Sequence, residues 1–187
     1  KTGIQLYSVL RVHLFNSYEE IGNYTHHVPI AQIEEKTNQL YYVINEKVDG
    51  TTDRLEYALL FRQKYGPPSN RNWERYLAAA LAGSWQQKSL EEWAKFLIAR
   101  DLEPEFPQFL TTKETYSPFL TYPWNAIFAK FVMEKFDHDA LVALYKKGTP
   151  PQNFHNEWET YRKHLPQSEP LPLYRFQPEF QKGVCYA

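Results

Sequence analysis

The apolar period changes once along this chain, close to residue 53, and that change constrains the fold more than any other feature. Before it, short segments alternate with period two. After it, apolar residues recur at helical spacing as far as residue 165. In the first part, "RVHLF" (11–15) alternates, with Val12 and Leu14 on one face, and "QLYYVIN" (39–45) has the aromatic and β-branched character of a strand. Between them Ser17 and Glu20 of "SYEEIGNY" stand at capping-box spacing for a short helix, and Asp49-Gly50 marks a turn.

Six helices are expected in the second part. The first spans 54–65, capped by Asp53 and closed by Gly66 before Pro67-Pro68. The second, about 71–82, lines up Trp73, Leu77, Ala80 and Leu81. The third starts at Ser89, with Glu92 completing a capping box, and presents Leu90, Trp93, Ala94, Leu97 and Ile98 on one face. After the proline-broken "DLEPEFPQFL" (101–110), Pro123 suits the first turn of a fourth helix with Trp124, Ile127, Phe128, Phe131 and Val132 inward. A fifth runs about 138–147 to Gly148, and a sixth carries Phe154, Trp158, Tyr161 and Leu165. Strands first and helices after is an α+β pattern: a small N-terminal mixed sheet (1–50) and a mostly helical C-terminal half (53–165), forming one domain over 1–165.

Charge and composition narrow the function classes. Lys and Arg (21) balance Asp and Glu (22), so the chain lacks the basic footprint of a nucleic-acid binder. The runs Lys146-Lys147 and Arg162-Lys163-His164 read as helix ends. No apolar stretch reaches the roughly 18 residues of a membrane span. The single cysteine, Cys185, excludes an internal disulfide and a cysteine-based zinc site. Aromatic residues reach 17%, which fits either a sugar-stacking surface or an aromatic core; the helical spacings favour the core. No G-x-S-x-G elbow, phosphate-binding glycine loop or dinucleotide fingerprint occurs.

The order of segments resembles the gluzincin zinc peptidases, in their peptidase-MA-like branch. The residues that carry it are the helix "DRLEYALLFRQKYG" (53–66), "GPPSNRNWERYLAAALAG" (66–83) and "YPWNAIFAKFVMEKFDHDALVALYKKG" (122–148), over roughly residues 5–165. The resemblance implies a zincin-like fold, with HExxH on the first helix and a third ligand, a glutamate, on the second. Two histidines four apart bind zinc there, and the intervening glutamate is the general base. Carried over position by position, the histidines become Leu55 and Leu59, the base Glu56, and the third ligand Ala79. Hydrocarbon offers a metal no lone pair. The resemblance therefore implies a degenerate member without catalytic residues, metal or cofactor, whose leucines seal a seam between the first two helices. Glu56 also stands three residues after Asp53, so capping is an alternative role for it.

Such a domain would act as a binding or scaffolding module for a protein, peptide or glycan, with Tyr57, Tyr116, Tyr122 and Trp124 as cleft candidates. Three alternatives stay open. One is a zinc-dependent hydrolase with other ligands, for which His26-His27 is the lone histidine pair. The others are an accessory domain of a carbohydrate-active enzyme and an ordinary structural or interaction domain without zincin ancestry. The stretch 166–187 reads as a proline-rich linker and tail. Its "FQKGVCYA" resembles the opening strand of a TIM-barrel glycosidase, which implies a further domain and, with family habit, an exported protein.

Overall fold

The computed structural model describes residues 10–26, 31–34, 36–37, 39–47, 49, 54–70, 72–102 and 118–166, the side chains of 118–120 apart. It is an α+β fold, as the change of period predicts. Strands β1 (Arg11–Phe15), β2 (Ala31–Glu34) and β3 (Gln39–Val43) form one mixed sheet in the order β1-β3-β2. Helix α1 (Tyr18–Thr25) lies between β1 and β2 in the chain. β1 runs parallel to β3 and β2 antiparallel to it.

The central strand explains why "QLYYV" has no polar alternation. Leu40, Tyr41, Tyr42 and Val43 are all buried, because both faces of β3 are covered. Leu40 and Tyr42 pack with Ala31, Leu55 and Leu59 on one side, and Tyr41 and Val43 pack with Ile21 of α1 on the other. β1 sits at the edge of this trio. Val12 and Leu14 do share a face, but they are 52% and 61% exposed, for they stand beyond the reach of the helix that covers their neighbours.

Helices α2 (Glu56–Tyr65), α3 (Trp73–Ala82), α4 (Leu90–Ala99), α5 (Pro118–Lys135), α6 (His138–Lys147) and α7 (Phe154–Lys163) build the second half. The expected inward residues Trp93, Leu97, Trp124, Ile127, Phe128, Phe131, Val132, Phe154 and Trp158 all lie in one core. Ser89 caps α4 through a full capping box: its Oγ accepts from the Glu92 amide at 3.1 Å, and its own amide donates to Glu92 Oε2 at 3.0 Å. Asp137 caps α6, accepting from the Ala140 amide at 2.8 Å, and Gly148 closes that helix at φ +66°.

Two local expectations differ from the structure, and two elements come in addition. Leu81 leaves the buried stripe of α3 and is 36% exposed. α5 opens at Pro118, so Pro123 lies inside the helix, where its missing N–H removes one intrahelical bond. A two-stranded hairpin, β4 (Ser84–Trp85) and β5 (Lys88–Ser89), joins α3 to α4. Its turn residues Gln86 and Gln87 take φ +47° and +65°, values that hairpins usually assign to Asn-Gly. β2 is the second addition, a four-residue strand with one buried side chain and so without a clear apolar alternation. The expected cap Asp53, the Asp49-Gly50 turn beyond Asp49, and the tail after residue 166 lie outside the described residues.

Candidate functional site

The positions aligned with metal ligands are deeply buried. Leu55 is 2% exposed, Leu59 1% and Ala79 1%. They do not share one cluster. Leu55 and Leu59 face the sheet, packing with Ala31, Leu40 and Tyr42, whereas Ala79 belongs to the aromatic core of the helical half. The seam that the leucines seal thus runs between α2 and the sheet rather than between α2 and α3. The reason is helical geometry: residues i and i+4 share one face, and on α2 that face meets β2 and β3. Phe61, farther along α2, joins the helical core. With leucine and alanine side chains at these positions, the donor set does not fit zinc.

Glu56 is tied up by neighbours. Its Oε1 is ion-paired with Arg54 Nε, and its Oε2 accepts from the Tyr42 hydroxyl at 3.1 Å. Arg54, at a left-handed φ of +47°, also donates to Tyr57 Oη at 2.9 Å and covers the Tyr57 ring at 4.9 Å. The hydrogen bond to Glu56 is the chief reason that the pKa of Arg54 is raised, with burial opposing it. Glu56 and Tyr57 therefore belong to a clasp that joins the start of α2 to β3.

The cleft candidates have separate neighbourhoods. Tyr122 stacks on Trp85 at 4.9 Å, meets Tyr76 edge-on at 5.1 Å and donates to Asn72 Oδ1 at 2.8 Å. It is partly exposed. Trp124 is 1% exposed and meets Trp158 edge-on at 5.6 Å, which makes it a core residue and places it out of reach of a ligand. Tyr116 lies outside the described residues. His26 ends α1 at φ +60°, its amide donating to Gly22 O at 2.8 Å, and its side chain is exposed. His27 is outside the described residues. Among those residues, no group of three or more His, Cys, Asp or Glu side chains is placed to hold a metal ion.

Comparison with known proteins adds no family. No family model, curated protein or solved structure matches the chain.

One buried charged group escaped the sequence. Glu74, in the first turn of α3, is 3% exposed. Its Oε1 accepts from Arg62 Nη1 of α2 at 2.8 Å and from the Tyr145 hydroxyl of α6 at 3.2 Å. Tyr145 Oη also lies 2.9 Å from the Gly66 carbonyl that follows α2. One carboxylate thus fastens three helices. An acid in a first turn is ordinarily explained by the helix dipole, so its spacing gave no sign of this role.

Proposed function

We propose that this chain is a non-catalytic, gluzincin-like domain that serves as a binding or scaffolding module, in an exported protein. The observation that supports the non-catalytic part is the burial of Leu55, Leu59 and Ala79, each 2% exposed or less; the gluzincin likeness itself rests on the order of segments, since the leucines pack on the sheet and Ala79 in the helical core. A cavity left by a lost metal is costly, and hydrocarbon packing removes that cost. Glu56, the one residue retained from the catalytic set, is engaged by Arg54 and Tyr42. The partner is a protein, peptide or glycan, with Tyr57 on α2 and Tyr122 on α5 as the partly exposed rings among the candidates.

Incubation with a mixture of unstructured peptides, with and without added zinc, tests the catalytic half of this reading by mass spectrometry. Cleavage is expected to stay at the rate of the peptides alone. Zinc-dependent cleavage that a chelator stops, and that His26→Ala or His27→Ala removes, would establish a hydrolase with a different ligand set.

A further inference from the structure

The face of the sheet turned away from Leu55 and Leu59 carries an unusual combination of rings and unsatisfied polar atoms. In the sheet register, His13 and Gln32 both pair with Tyr41, one from each side, and Arg11 and Glu34 both pair with Gln39. Residues in register on neighbouring strands point the same way, and so do alternate rows, so these six side chains share a face. It is the face that α1 covers in part, through Ile21 packed on Tyr41 and Val43.

Where that cover ends, the rings form a ledge. His13 stacks on Tyr41 at 5.0 Å and 23°. Tyr24, from the last turn of α1, overhangs both, with ring centroids 5.8 Å from His13 and 5.7 Å from Tyr41. Phe15 completes the group at 5.6 Å from Tyr24. Tyr24 is 57% exposed, a large ring turned to water.

On either side of Tyr41 stands a buried polar atom without a hydrogen-bond partner among the described residues: His13 Nε2 and Gln32 Oε1. The Tyr41 hydroxyl is engaged, donating to Gln39 Oε1 at 2.7 Å. Burial, with Tyr24 and Glu34 nearby, raises the pKa of that phenol, which keeps it a donor. An occluded polar atom without a partner is unfavourable, and both side chains are only partly buried. A rotation outward toward a hydrogen-bonding ligand would relieve them.

We propose that this face, formed by Tyr24 with His13 and Gln32 over the buried Tyr41 ring, binds a neutral saccharide. The exposed Tyr24 ring receives the apolar C–H face of a sugar, while imidazole and amide, turned outward, meet its hydroxyls as donor and acceptor. Strand spacing sets the size: β1 and β2 flank β3 and lie about 10 Å apart, which suits a disaccharide better than a single ring. Charge selects the class. Arg11 and Glu34, at the two ends of the adjacent row, cancel, so the face offers an anionic ligand no net attraction. The site lies across the sheet from the leucine seam and does not depend on the domain's ancestry.

The test is protein NMR with maltose, cellobiose, lactose and chitobiose as probes, following the His13 ring protons and saturation transfer to the sugar. At least one probe is expected to shift His13 saturably, with a Kd of about 1 mM. Tyr24→Ala and Gln32→Ala should each weaken binding about tenfold, the scale of one lost hydrogen bond or ring contact, with the fold retained by circular dichroism at the temperature of the titration. Absence of shifts at His13 with every probe would overturn the proposal. So would an affinity that neither substitution alters, or tighter binding of glucuronate than of the neutral sugars.

Discussion

Leu55→His, Leu59→His and Ala79→Glu, combined in one variant, are expected to lower stability by about 1–3 kcal/mol per substitution. Each puts a polar or ionisable group where the native side chain is at most 2% exposed and surrounded by hydrocarbon. Leu55 and Leu59 are neighbours on one helical face, so their two losses will not add simply, whereas the loss at Ala79 arises in a different cluster. The same separation predicts the response to metal. Two histidines would face the sheet and the glutamate would face the helical core, so zinc is expected to leave the denaturant midpoint of the variant in place. Unchanged stability in the metal-free variant would mean that these positions are not packed as described. Full rescue by zinc would mean that the backbone keeps the spacing of a gluzincin site.

Glu74→Ala is the second large effect. Removing one member of a buried ion pair costs about 3–5 kcal/mol. The lower end of that range applies here, because the Arg62 side chain is 29% exposed and water can reach it once the carboxylate is gone. The Tyr145 hydroxyl also loses one partner but stays within 2.9 Å of the Gly66 carbonyl. Glu74→Gln, which keeps an acceptor for Tyr145 but removes the charge, should fall between the wild type and Glu74→Ala. Chemical denaturation checks both. A loss below about 1 kcal/mol for Glu74→Ala would place the pair in the class of solvent-screened surface bridges.

How far the fold could be read ahead depended on how local its determinants are. Ser89 with Glu92 before α4 and Gly148 after α6 are local signals, and the structure reproduces each. The inward faces of α4 and α5 followed from spacing alone, since a helix with one buried stripe repeats its apolar residues visibly. Pro123 misled because proline in a first turn is the common case, and the helix in fact starts at Pro118. The Gln86-Gln87 turn was hidden because neither residue favours positive φ, so no composition cue marks that hairpin.

The candidate site was less legible, for a different reason. That Leu55, Leu59 and Ala79 carry no metal-binding atom is visible in the residue names, but which cluster each joins is decided by tertiary packing. Trp124 could be either a cleft ring or a core ring by spacing, and its contact with Trp158 across to α7 makes it core. Glu74 and Arg62 are twelve residues apart on different helices, so nothing periodic connects them. The row of His13, Tyr41 and Gln32 exists only through strand register, and β2 is too short to signal itself as a strand.

The central claim is that the ligand positions are structural packing and that the native chain has no zinc-dependent state. Thermal unfolding of the purified protein across a zinc titration, with metal content measured after dialysis, tests this most directly. A ligand held by the native state alone stabilises it by about 2.7 kcal/mol at a hundred times its Kd, an effect easily seen in a melt. The account predicts a melting temperature independent of zinc and no stoichiometric metal after dialysis. A saturable rise accompanied by one bound zinc per chain would contradict it, and loss of that rise in a His26→Ala, His27→Ala double variant would locate the site.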